Sequence, residues 1–151
     1  MLEKALISGV THSLEQTVYR VEGAPVAQLF EALAAQGVNV DLVIQTGPEI
    51  VFSAPERSET EAALEGLAGA QWSARDDLGQ VSIVGAGMRS HPGVAARALS
   101  TLDELGIKPE IVTTSPIKIA CFIPREQVEE AVRALHAAFE LDSADALRAH
   151  D

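Results

Sequence analysis

Cationic residues are scarce: 11 Lys plus Arg stand against 22 Asp plus Glu, a net charge of −11. A field of that sign repels phosphate backbones and anionic lipid, so nucleic acid and membrane surfaces are poor partners. The single cysteine, Cys121, excludes an internal disulfide, and its apolar neighbours suit a small buried residue in a reducing compartment. Nowhere does an uncharged run reach the roughly 18 residues of a membrane helix. The opening MLEKALISGV has no basic stretch ahead of a long apolar one, so neither secretion nor membrane insertion is expected, and the cytoplasm is the default. Catalytic signatures are missing too. There is no GxxxxGK[ST] loop and no His/Cys/Asp set at metal-ligand spacing, so the expectation is no catalytic residue, no metal and no cofactor.

What is present is an internal repeat. A chain of 151 residues with 47% hydrophobic content can bury a core as one domain or two. Residues Val38 to Pro55 lie on Ile107 to Pro124 without a gap, placing Asp41-Leu42-Val43 on Glu110-Ile111-Val112 and Pro55 on Pro124. Each copy alternates as two strands around a break, Gly47-Pro48 or Ser115-Pro116. Ahead of each hairpin a helix is bounded by proline and glycine, Pro25 to Gly37 and Pro92-Gly93 to Gly106. Val26, Leu29, Phe30 and Leu33 share one face of the first, and Val94, Ala98, Leu102 and Leu105 one face of the second. Leading strands fit Thr17 to Val21 and Gln80 to Val84. A helix follows each hairpin, the first capped by Ser58 with Glu61, the second running from Arg125 to Phe139.

Each half thus reads β-α-β-β-α, one strand short of a ferredoxin-like βαββαβ unit. Gln71 to Arg75 completes the first half. Nothing after Leu141 can complete the second, but Lys4 to Val10 is an unassigned strand that can, which makes the first unit an insertion within the second. The predicted class is α+β, with a first domain at 15–78, a second at 1–14 plus 79–143, and a tail at 144–151.

The stretch VSIVGAGMRS ends a strand in Gly85-x-Gly87 but puts Ser90 where a dinucleotide fingerprint needs its third glycine, so its glycines read as a sharp turn. Asp76-Asp77 reads as a solvated turn. Candidate ligand features are the loops Glu22 to Ala27 and Ala86 to Ala95, whose helix-start amides suit an α-carboxylate, with Asp41, Gln45 and Glu110 as acceptors for an ammonium group.

KALISGV, QVSIVGAGMRSHPGV, the TTSPIKIACFIP hairpin and AVRALHAAFELD resemble the regulatory region of aspartate kinase over nearly the whole chain. The resemblance implies two ACT domains, the first inserted into the second. It further implies a cytoplasmic controller in which threonine or lysine binds between ACT domains of a homodimer and restrains a catalytic domain or subunit that phosphorylates aspartate. Carried over by position, the effector set is Pro25, Val26, Ala27, Asn39, Asp41 and Gln45 in the first unit, and Val94, Ala95, Pro109, Glu110 and Ser115 in the second. Two departures stand out: a shortened first loop, and Lys108-Pro109 where the family has an Asn-Ile pair. They keep open a dimerisation module that has lost its effector site, and the GAGMRSHPG loop separately keeps open a small enzyme acting on a phosphorylated or nucleotide substrate.

Overall fold

The computed structural model describes residues 7–86 and 92–139. The elements run β1 (Ile7–Ser13), β2 (Thr17–Glu22), α1 (Val26–Ala35), β3 (Val43–Thr46), β4 (Glu49–Ala54), α2 (Arg57–Glu65), β5 (Gln71–Arg75), β6 (Leu78–Gly85), α3 (Pro92–Glu104), β7 (Ile111–Thr114), β8 (Lys118–Pro124) and α4 (Val128–Ala138). They fold as an inserted unit, Glu15–Leu78, and an outer unit drawn from both flanking segments.

The sheet of the inserted unit has the order β3-β4-β2-β5, and that of the outer unit β7-β8-β6-β1. The two orders coincide once the N-terminal β1 takes the role that β5 plays in the inserted unit, so both are ferredoxin-like and the first is inserted into the second. β1 runs antiparallel to β6, with Val10 opposite Ile83, and Ile7 is fully buried. The strand extends beyond Val10 to Ser13 because Thr11, His12 and Ser13 pair with Ser82, Val81 and Gln80. Backbone ladder bonds, which polar residues make as readily as apolar ones, set that end. The expected start at Lys4 lies outside the described residues, as do 87–91 of the glycine loop and the tail from 140.

The repeat holds at the level of single hydrogen bonds. Val43 faces Phe52 and Val112 faces Cys121, and both residues of the pair are displaced by 69 positions (112 − 43 and 121 − 52). Under the same shift Gly37 becomes Gly106, each with positive φ, +74° and +73°. The amides of Val38 and Ile107 both turn back to a leucine carbonyl, Leu33 and Leu102 respectively. Each helix therefore stops on a left-handed glycine that returns the chain toward the sheet.

Leu29 and Leu33 of α1 and Val94, Ala98 and Leu102 of α3 are buried, each large side chain contributing about 1.5–3 kcal/mol by leaving water. Val26 and Leu105, expected on those faces, are 37% and 40% exposed; Val26 is the first residue of α1 and Leu105 lies one residue past the end of α3. The Ser58 capping box does not form. The helix starts two residues earlier than a Ser58 cap would place it, at Arg57 with Glu56 at the cap position, and Glu61 pairs instead with Arg57 at 2.8 Å. That i,i+4 pair competes directly for the carboxylate a capping box would use. Asp76 and Asp77 are exposed but engaged, Asp76 with Arg57 at 2.9 Å and Asp77 with Arg75 at 2.8 Å.

Cys121 lies in the outer core with Ile119, Ile123 and Leu135. Burial pushes its thiol up to about 11. At pH 8 the native chain is expected to resist iodoacetamide while the unfolded chain is alkylated, because the thiolate is the nucleophile. Mass spectrometry with and without denaturant checks this, and native labelling at the unfolded rate would contradict the burial.

Candidate functional site

The effector residues inferred from sequence divide between the two ends of each sheet. β3 is an edge strand, and Gln45, Ile50 and Val21 form one row across β3, β4 and β2. The chain leaves β2 one residue past that row, so the loop to α1 and the exposed Pro25, Val26 and Ala27 lie at the Gln45 end. Pro25 occupies the cap position of α1 and its carbonyl accepts the Leu29 amide at 3.1 Å. Gln45 is exposed, and its Nε2 reaches the Gly47 carbonyl at 3.4 Å in the hairpin turn.

Asn39 stands at the other end. It precedes β3 by four residues and is held by Glu56 beyond the end of β4, whereas Gln45 pairs with Ile50 near the start of β4. Asp41 lies between them, exposed, and its amide extends the ladder to the Ser53 carbonyl at 2.9 Å. The Asn39 amide donates to Glu56 Oε1 at 3.0 Å and its Nδ2 to Glu56 Oε2 at 2.5 Å. The Asn39 backbone bond first, and then its side-chain bond, hold the Glu56 carboxyl below its ordinary range. The pair lies at the surface, so the stability linked to that lowering is small; it is present above the ordinary carboxylate range and is lost as pH falls through the lowered value.

In the outer unit Val94 is fully buried among core residues, and the partly buried Ala95 packs against them. Pro109 lines an open groove of about 520 Å³ with Lys108, Asp103 and Val112. The Glu110 amide donates to the Phe122 carbonyl at 2.8 Å, the counterpart of Asp41 with Ser53. The Ser115 hydroxyl is held inside its hairpin turn, accepting from the Ile117 amide at 3.3 Å, while the Ser115 amide donates to the Lys118 carbonyl at 2.8 Å. Sequence reasoning missed Ser53 and Glu56. Glu56 meets its partner across 17 residues, a distance at which no periodicity signals a contact.

Among the described residues no three His, Cys, Asp or Glu side chains are grouped to hold a metal, and no helix is long and apolar enough to cross a membrane. The ACT domain family profile matches residues 81–139. The crystal structure of the regulatory subunit of aspartate kinase from Thermus thermophilus superposes with a TM-score of 0.78 at 33% identity, over 88% of this chain and 99% of that one.

The chain belongs to the aspartate kinase family, as its regulatory part.

A solved structure of aspartokinase alpha and beta subunits gives a TM-score of 0.77 at 34% identity, covering 89% of this chain and 99% of the matched one. The aspartokinase of Mycolicibacterium smegmatis is 36% identical over 162 residues. That alignment takes in 95% of this chain but only 38% of the relative, so the aspartate kinase segment seen here spans a little over a third of the length of that relative. The two ferredoxin-like units match the regulatory subunit of the Thermus structure and are ACT domains.

Proposed function

We propose that the chain is the feedback-control part of a cytoplasmic aspartate kinase, with ACT domains at 15–78 and at 1–14 plus 79–143. It binds threonine or lysine between ACT domains of paired chains and passes occupancy to a catalytic partner. The observation that carries this reading is the division of Asn39, in the lead-in to the edge strand β3 and beside Glu56, from Gln45 at the other end of that strand. One free amino acid cannot touch both within a single chain. Antiparallel pairing with the edge strand of a second copy sets the Asn39 end of one chain beside the Gln45 end of the other, next to the Pro25–Ala27 loop. Val43 at 49% and Val112 at 40% exposure, on corresponding edge positions, suit such pairing. The related aspartokinase of alpha and beta subunits supports a catalytic partner for this part.

A ligand that binds only the folded chain at about 100 times its Kd adds about 2.7 kcal/mol, which raises Tm by roughly 5–10 °C for a protein of this size. Thermal melts with threonine and with lysine are therefore expected to shift upward, and Gln45→Ala to reduce the shift without lowering the ligand-free Tm. Dimers that ignore both amino acids would favour the dimerisation module. A response to ATP in place of amino acids would favour the nucleotide enzyme.

A further inference from the structure

The extended segment that leads into β3 is held differently in the two units. In the inserted unit two side chains accept its amides. Ser53 Oγ takes the Leu42 amide at 3.1 Å, while the Leu42 carbonyl takes the Ser53 amide at 3.1 Å. Glu56 takes both the backbone and the side-chain N–H groups of Asn39. Shifted by the 69 positions of the repeat, Asn39, Ser53 and Glu56 become Lys108, Phe122 and Arg125. None of these can accept a backbone amide through its side chain. Arg125 turns away and donates to the Leu14 carbonyl. The backbone bond to the strand partner survives in both units, so only the side-chain ties are peculiar to the first.

We propose that Glu56 is a positioning residue for the effector strand of the inserted unit: by gripping Asn39 at two points it fixes the lead-in that presents Asn39 and Asp41, a device the outer unit lacks. This rests on the effector reading above. Ser53 is fully buried and its bond serves the sheet, whereas Glu56 and Asn39 lie at the surface, where a fold has little need of a two-point tie. Fixing an exposed strand end before the ligand arrives lowers the ordering cost of binding. Gln45, at the far end, depends on the hairpin turn instead.

The experiment has two readouts on the full chain and on Glu56→Ala and Glu56→Gln. Amide exchange measured without ligand is expected to speed up at residues 39–42 in Glu56→Ala while the ladder residues 50–54 keep wild-type protection. Calorimetric titration with threonine and with lysine is expected to show Kd weakened about tenfold in Glu56→Ala. In Glu56→Gln, which keeps one oxygen for the Asn39 amide, the loss is about threefold. The ligand-free Tm should stay near that of the wild type in both. Unchanged exchange at 39–42, or wild-type Kd in Glu56→Ala, overturns the positioning role. So does a fall in Tm that accounts for the whole loss of affinity. A wild-type chain that binds neither amino acid overturns the effector reading itself, and is told apart because it fails before any variant is made.

Discussion

Phe52→Ala is expected to destabilise the chain by about 3–5 kcal/mol, the usual cost of emptying a large aromatic site in a core. Phe52 is fully buried at the centre of β4. Its ring stacks on Tyr19 at 5.0 Å between centroids and meets the edge of Phe30 at 6.3 Å. The inserted unit has few other large side chains: its buried cluster is Tyr19, Val21, Leu29, Leu33, Ile50, Phe52, Leu64 and two alanines. Removing one ring therefore strips contacts from β2, β4 and α1 together. Phe52→Leu, which fills most of the volume, should cost less than about 1.5 kcal/mol. Urea denaturation of both variants checks this. A loss below about 1 kcal/mol for the alanine would mean that the unit collapses around the gap.

Gly23→Ala is expected to cost about 2–4 kcal/mol, from two separable sources. The residue has φ +86°, a left-handed conformation costing an L side chain roughly 1–2 kcal/mol. In addition, a methyl there would lie 2.6 Å from the Gly69 carbonyl oxygen, which is backbone and cannot swing aside. Gly37→Ala is the control, with φ +74° but open space around the new carbon, and should show only the conformational part. Equal losses in the two variants would mean that the approach of Gly69 does not matter. Gly23 carries the chain from β2 into the Pro25–Ala27 loop, so its substitution should also weaken effector binding.

The elements were legible because their signals are local or periodic. The 69-residue repeat is a matter of sequence spacing, and it reappears intact in the ladder registers and helix-stop glycines of the two units. Even the assignment of the N-terminal strand came from counting, since a βαββα half lacks one strand and only one unassigned segment remained. The places where the sequence misled are those where groups compete for partners. Ser58 and Glu61 have the spacing of a capping box, but Arg57 takes the Glu61 carboxylate, and that choice depends on where the helix begins.

The candidate site divides the same way. Amino-acid order alone determined the two βαββαβ units, the insertion of one in the other and the residue types offered along the edge strands, because hydrophobic period and turn chemistry act within a few residues. The spatial sorting of those residues was decided only by the tertiary fold. Asn39 is held by Glu56 beyond the end of β4 while Gln45 pairs with Ile50 near its start, so the two, close in sequence, stand toward opposite ends of the sheet. Val94, offered by the sequence both to the core face of its helix and to the effector set, is turned wholly into the core. Glu56 meets Asn39 because helix α2 starts where the hairpin ends, a coincidence of two elements that no local pattern encodes.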